Sequence, residues 1–142
     1  MKELTSGAEL KQALTEARTI AVLGANPRPD RPAHYVPAYL KGHGYRVIPV
    51  NALHTDKELF GEPVRGRLDE IGEAVDIVDV FRRADALEGH LDEILAMSPR
   101  PRIVWLQQGI RNDDFTATLI EEGIQVVQDR CAKAEHARLI GK

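Results

Sequence analysis

The chain has 142 residues, of which 43% are hydrophobic and 29% charged, so we expect one globular domain spanning residues 1–142. The net charge of −3 argues against a nucleic-acid-binding protein, and no apolar run approaches the ~20 residues of a membrane span. The N-terminal residues form no apolar signal segment and Cys131 is the single cysteine, so a cytoplasmic protein without an internal disulfide is expected. The scattered histidines match no zinc spacing, so no metal site is predicted.

Short apolar runs alternate with amphipathic segments along the chain. Ser6-Gly7-Ala8-Glu9 matches a capping box that opens a first helix. The predicted strands, one to five, are Ile20–Leu23, Tyr45–Val50, Val75–Phe81, Ile103–Leu106 and Ile124–Val127. The other predicted helices are Ala33–Lys41, Ala84–Met97, a helix capped by Asn112 and Ala132–Leu139, with helical turns around Asp56–Leu59 and Leu68–Ile71.

This alternation predicts an α/β protein with right-handed crossovers and a parallel sheet covered on both faces. We expect a Rossmann-like, three-layer α/β/α fold with five parallel strands in the order 3-2-1-4-5. Ligands of such sheets bind outside the carboxyl ends of the strands, here near a switch point between strands one and four. The residues that follow each strand are therefore the candidate site residues.

The segment TIAVLGANPRPDRP combines the first strand with a glycine, a basic loop and a helix start. Gly24 ends the strand, Arg28 and Arg31 lie in the loop, and Pro32 opens the helix. Strand, glycine turn and helix N-terminus is an arrangement that holds phosphate groups, with backbone N–H groups and the helix dipole facing the anion. The segment lacks the further glycines of a G-x-G-x-x-G motif.

Polar, glycine or arginine residues follow the other strands as well. They are Val50-Asn51, Phe81-Arg82-Arg83, Gln107-Gln108-Gly109 and Asp129-Arg130-Cys131. The loop arginines are either solvated or bound to an anion, and a cation pair at a helix start favours a carboxylate partner or an anionic ligand. Gln107 is a ligand contact or a tie between loops, and Gly109 provides a turn.

Four further residues have structural interpretations. Asp76 and Asp79, inside the third strand, are expected to accept local hydrogen bonds. Cys131 is more often a packed thiol than a nucleophile, although a mixed disulfide with a thiol ligand is a testable alternative. His136 is interpreted as an ordinary helix histidine. No catalytic constellation is predicted from these residues.

A nicotinamide cofactor fits the pattern poorly. NAD-binding Rossmann domains place an Asp or Glu at the end of the second strand, where it holds the ribose hydroxyls. Asn51 occupies that position here, and the next carboxylate is Asp56. An NAD(P)-dependent oxidoreductase is therefore the less favoured alternative.

The chain resembles the small stand-alone coenzyme A (CoA) binding proteins, whose fold is shared with the N-terminal domain of the succinyl-CoA synthetase α subunit. The resemblance rests on IAVLGANPRPDRP, YLKGHGYRVIPVN, VDIVDVFRR, WLQQG and VVQDRCAKAEHARL, in this order over nearly the whole chain. It implies that CoA lies across the strand ends, with its pyrophosphate at the glycine loop and its 3′-phosphate end held by basic loop residues. The residues that it places around the ligand are Gly24, Ala25, Asn26, Arg28, Val50, Asn51, Phe81, Arg82 and Gln107.

Residue types and resemblance together predict a protein that binds CoA or an acyl-CoA through the Gly24 loop. Arg31 and Gly109 complete the predicted site. An accessory subunit of an acyl-CoA ligase or transferase is the alternative, and the sequence leaves a protein partner open. The related synthetases use a phosphorylated histidine from a second domain, and no such domain is present in this sequence, so we expect no thioester synthesis by the chain alone.

Overall fold

The computed structural model describes residues 2–141, in which five parallel strands form one sheet and helices cover both of its faces. The strands are β1 (Thr19–Leu23), β2 (Arg46–Val50), β3 (Glu58–Leu59), β4 (Glu62–Pro63), β5 (Ile77–Val80), β6 (Ile103–Leu106) and β7 (Gln125–Val127). The α-helices are α1 (Gly7–Glu16), α2 (Pro32–Gly42), α3 (Leu91–Leu95), α4 (Asp113–Glu121) and α5 (Ala132–Leu139). The predicted Rossmann-like α/β fold is confirmed. No helix among the described residues is long and apolar enough to cross a membrane.

The strand order is β2-β1-β5-β6-β7, with β3 and β4 forming a separate antiparallel hairpin. Numbered as the predicted strands, this is 2-1-3-4-5, so the expected order 3-2-1-4-5 is wrong. The outer edge of β2 is already occupied, because the N–H of Arg65 donates to the carbonyl of Pro49 at 3.0 Å and its carbonyl accepts from Asn51 at 2.9 Å. The third predicted strand therefore crosses back and pairs with β1. The chain reverses direction across the sheet between β1 and β5, not between strands one and four.

Alternate side chains of the buried strands face two apolar layers. Helices α1, α2 and α5 cover one face, where Ile20, Val22 and Trp105 lie in the core. The 3₁₀ segments Leu68–Glu70 and Ala84–His90, together with α3 and α4, cover the other face. Strands buried on both faces explain the continuous Val and Ile runs of the sequence.

The opposite edge of the sheet is also covered. The segment before α1 pairs with β7, where the N–H of Leu4 donates to the carbonyl of Val126 at 2.7 Å. The predicted capping box of α1 is present, with the Ser6 side chain accepting from the N–H of Glu9. Both edges of the sheet are thus occupied by the chain itself, which leaves its strand ends as the open side.

Two predicted helical segments differ in the structure. The expected helix Ala84–Met97 is a 3₁₀ segment over Ala84–His90 followed by the one-turn α3. The predicted turn around Asp56–Leu59 leads instead into the β3–β4 hairpin, which turns at Phe60 and Gly61, both with positive φ.

Candidate functional site

A cleft of about 800 Å³ opens at the carboxyl ends of the parallel strands, as predicted from the topology. The predicted residues that line it are Gly24, Asn26, Arg31, Asn51, Phe81, Arg82, Gln107 and Gly109. Three other predicted residues do not: Ala25 and Val50 are fully buried beneath the loops, and Arg28 is exposed outside the lining. Among the described residues that line the cleft there is no aspartate or glutamate.

Gly24 lies where the end of β1 approaches the end of β5. Its backbone has a φ of +93°, and a Cβ atom there would lie 2.7 Å from the carbonyl oxygen of Phe81. The same atom would lie 3.3 Å from Cδ of Arg82. Any side chain at this position would overlap the neighbouring backbone. Gly24 is therefore required by the packing of the two strand ends at the point of strand reversal.

The loop after Gly24 is held by hydrogen bonds within the protein. The N–H groups of Gly24 and Ala25 donate to the carbonyl of Val50 at 2.8 and 3.4 Å, and the N–H of Asn26 donates to a carbonyl of α2 at 3.2 Å. Oδ1 of Asn26 accepts from the N–H of Arg28 at 2.9 Å. The sequence predicts that amides of this loop face a phosphate, whereas these four already have acceptors within the protein and hold the shape of the loop.

Asn51 connects the end of β2 to the same loop. Its Nδ2 donates to the carbonyl of Ala25 at 2.9 Å, and its Oδ1 accepts from the N–H of Leu53 at 2.9 Å. A carboxylate in this position would repel the carbonyl of Ala25. Asn51 therefore positions two loops of the cleft in addition to lining it.

Helix α2 begins beside these loops with an open N-terminus. Arg31 is the residue before the helix and makes no side-chain capping hydrogen bond, and Pro32 in the first turn has no N–H. Within residues 2–141, the N–H of Ala33 donates to no other group. The positive end of an 11-residue helix thus faces the cleft without a capping acceptor.

Four arginines follow β1 and β5, and they fall into two classes. Arg28 and Arg83 each pair with an aspartate two residues further along the chain, at N–O distances of 3.2 and 3.0 Å. Arg31, Arg82 and Arg83 all line the cleft, but Arg31 and Arg82 form no salt bridge or side-chain hydrogen bond within the described residues. One arginine of each pair therefore has a carboxylate partner, and the other has none within the described residues.

Gln107 follows β6 and is only 5% exposed. Its Oε1 accepts from the N–H of Ala132 at 3.2 Å, which fixes the orientation of the amide because an N–H needs an acceptor. Its Nε2 is buried and has no hydrogen-bond partner. A buried donor without a partner is unfavourable unless a ligand or water supplies an acceptor. Gln107 is thus both a tie to α5 and a source of one unused donor at the cleft wall.

Asp79 in β5 differs from the neighbouring Asp76. Asp76 accepts from the N–H groups of Arg18 and Thr19 at 2.8 and 3.0 Å, as expected for a structural carboxylate. Asp79 is fully buried and neither of its oxygens has a partner, so the expectation of local hydrogen bonds is wrong for this residue. Burial raises the pKa of Asp79 well above its usual value, because a charged carboxylate is unfavourable without water or a hydrogen-bond partner.

The cleft also contains side chains that the sequence-based prediction omits. Tyr35 lies one turn into α2, and Leu53 is 81% exposed beyond β2. Cys131, one of the residues considered after the fifth predicted strand, also lines the cleft and precedes α5. Cys131 is a partly exposed free thiol at the cleft rather than a fully packed one. His136, in contrast, is buried away from the cleft and contacts the hydroxyl of Tyr39 at 2.9 Å. The helical spacing from Arg31 to Tyr35 is the signal that could have identified Tyr35.

Comparison with protein families identifies the family of this chain. Residues 18–137, which include every strand of the parallel sheet, match the model of a family described as a CoA binding domain. The chain belongs to this CoA binding domain family. The family model thus extends over the cleft and all of the strand ends that form it.

Relatives of known structure share the whole fold. The chain is 52% identical to the protein described as cell-free ID.343 from Thermus thermophilus, with a TM-score of 0.91 over 96% of this chain and 100% of that one. A hypothetical protein from Pyrococcus horikoshii OT3 is 29% identical, with a TM-score of 0.88 over 96% and 94% of the two chains. The uncharacterized protein YneT of Bacillus subtilis (strain 168) is 39% identical over 93% of this chain and 95% of its own length.

Proposed function

We propose that the cleft binds CoA or an acyl-CoA, with its phosphate groups beside Arg31, Arg82 and the N-terminus of α2. The observation that carries this proposal is that Arg31 and Arg82 have no carboxylate partner within the described residues, whereas Arg28 and Arg83 do. Arg31 and Arg82 face a cleft without carboxylates, whereas Arg28 and Arg83 beside them are neutralised by aspartates. Two cations and an open helix N-terminus form a local positive field in a chain whose net charge is −3.

The chemistry of CoA matches this field. CoA carries three phosphate groups, and charge-assisted arginine–phosphate hydrogen bonds are among the stronger polar contacts in proteins. Because the amides of Gly24, Ala25 and Asn26 are already used, we assign anion recognition to the two arginine side chains and the N–H of Ala33. Affinity in the micromolar range is expected, about −8 kcal/mol at 1 μM.

A nicotinamide dinucleotide is the competing ligand. Asn51 has both of its polar atoms engaged with the loops, so no carboxylate is available for the paired ribose hydroxyls. The cleft also lacks an acidic side chain among its described lining residues, which supports binding as the role of this chain. An accessory role beside an acyl-CoA ligase or transferase would use the same CoA site.

Adjacent arginines provide a matched test of this proposal. Arg82→Ala should weaken CoA binding about 10- to 30-fold at low salt, since one charged hydrogen bond contributes about 1.5–2 kcal/mol. The loss should shrink at high salt because ions screen exposed charges. Arg83 also lines the cleft but pairs with Asp85, so Arg83→Ala should weaken binding less than Arg82→Ala does.

Isothermal titration calorimetry at two salt concentrations measures both variants. Equal affinities for wild type and Arg82→Ala would remove Arg82 from the site. Equal losses in Arg82→Ala and Arg83→Ala would mean that net charge, rather than the unpaired arginine, governs binding.

A further inference from the structure

Cys131 occupies a rigid position at the wall of the same cleft. The backbone before it is anchored twice, since the carbonyl of Arg130 accepts from Trp105 Nε1 at 2.8 Å and the N–H of Arg130 donates to Leu106. The backbone after it is anchored by the bond from the N–H of Ala132 to Gln107. Cys131 is the residue before α5, yet its side chain makes no capping hydrogen bond. Its side chain packs partly against the core, and its thiol is held at the cleft without a capping hydrogen bond.

The unused donor of Gln107 indicates what approaches this thiol. Gln107 and Cys131 both line the cleft, and the amide of Gln107 is bonded to the residue that follows Cys131. Nε2 of Gln107 is buried without an acceptor, so a ligand carbonyl at this wall would remove an unfavourable unpaired group. The pantetheine arm of CoA carries two amide groups and ends in a thiol. An arm whose amide carbonyl accepts from Gln107 would bring its sulfur toward Cys131.

We propose that Cys131 exchanges with disulfides of CoA and thereby holds CoA as a mixed disulfide in the cleft. This inference rests on the proposed CoA site and adds a covalent step to it. The Cys131 thiol loses its proton, and its sulfur attacks one sulfur of a CoA disulfide. The original S–S bond breaks, a Cys131–CoA disulfide forms, and the second CoA leaves as a thiolate that takes up a proton. Cys131 is oxidised, the departing CoA is reduced, and any thiol in excess reverses the reaction.

Three disulfide reagents distinguish recognition of CoA in the cleft from simple exposure of the Cys131 thiol. CoA disulfide carries phosphates and amides, pantethine carries the amides alone, and 2-hydroxyethyl disulfide carries neither. Intact-mass analysis over time gives the rate of adduct formation with each reagent. We expect CoA disulfide to react about tenfold or more faster than pantethine, and pantethine faster than 2-hydroxyethyl disulfide, because binding raises the effective concentration of the sulfur. The adduct should be lost on reduction and absent in Cys131→Ser.

Two variants assign this preference to named groups. Arg82→Ala should lower the ratio of the CoA disulfide and pantethine rates, whereas Arg83→Ala, which removes a paired arginine, should lower it less. Gln107→Glu keeps an acceptor for the N–H of Ala132 but replaces the unused donor. It should therefore lower the ratio of the rate with pantethine to the rate with 2-hydroxyethyl disulfide. Rate ratios cancel any change in the intrinsic reactivity of the thiol.

The outcomes distinguish this inference from the CoA site itself. Reversible CoA binding by wild type and by Cys131→Ser, without an adduct in wild type, would overturn the covalent step and leave the CoA site intact. Equal rates with all three disulfides would also overturn it, since the thiol would then be merely exposed. Loss of both CoA binding and reagent preference would reject the proposed function as well.

Discussion

Replacement of Asp79 by Asn should change how the stability of the protein depends on pH. The carboxyl group is fully buried without a hydrogen-bond partner, and burial raises its pKa well above the usual value. The unfolded chain has an ordinary Asp pKa of about 3.9, so above that pH the folded state holds one more proton than the unfolded state. Stability therefore falls as pH rises, and the decrease ends only at the folded pKa.

The magnitude follows from one proton. Each pH unit lowers the free energy of unfolding by about 1.4 kcal/mol while the folded carboxyl stays protonated. Between pH 5.5 and 7.5 the stability of wild type should therefore fall by up to about 2.7 kcal/mol relative to Asp79→Asn. Comparison with the variant cancels the titration of all other groups.

Urea unfolding followed by fluorescence measures this difference, because Trp105 is the single tryptophan and pairs with Asp79 across β5 and β6. Asp56→Asn removes a carboxyl that is 77% exposed on its side chain and should reproduce the wild-type profile. Parallel pH profiles for wild type and Asp79→Asn would refute the assignment of Asp79 as a buried, neutral acid.

Further predictions concern the strand reversal and the buried histidine. Gly24→Ala should lower the free energy of unfolding by about 2–5 kcal/mol, because Cβ would overlap Phe81 and φ is positive. Gly109 also has a positive φ, but a Cβ there would meet no neighbouring atom. Gly109→Ala should therefore lower the free energy of unfolding by only about 1–2 kcal/mol in the same denaturant assay. Equal losses in the two variants would disprove the clash at Gly24. Burial, and to a smaller extent the neighbouring His43, lowers the pKa of His136. As the pH falls below about 6.5, this histidine is therefore protonated in the unfolded state before it is protonated in the folded state, and the protein loses stability. His136→Gln should reduce that acid loss in urea titrations from pH 7 to pH 5, and an unchanged loss would contradict the assignment.

The sequence predicted the strands well because their Val and Ile runs end at clear turn residues. It failed on strand order, since hydrophobic runs alone do not show which strands are edges. Pro49 carried the missing signal: proline within a sheet is confined to edge strands or bulges, so strand two is disfavoured in the interior of the sheet. The third helix was predicted as one regular α-helix, although its first half is a 3₁₀ segment, because apolar spacing does not show the local hydrogen-bond pattern.

Most of the predicted site residues do line one cleft, since the carboxyl ends of parallel strands share one side of a sheet. What each residue does there was not predictable from residue type. Arg82 and Arg83 are identical side chains, and only the structure shows that Asp85 neutralises the second. The missing partners of Asp79 and of Gln107 Nε2 depend on burial, which spacing along the chain does not reveal.

Calorimetric titration of the protein with CoA, acetyl-CoA, NADH and NADPH tests the central claim most directly. The proposed cleft predicts saturable binding of CoA or acetyl-CoA near the micromolar range and about tenfold or more weaker binding in Arg82→Ala at low salt. Clear heat with NADH or NADPH and none with CoA or acetyl-CoA would contradict it.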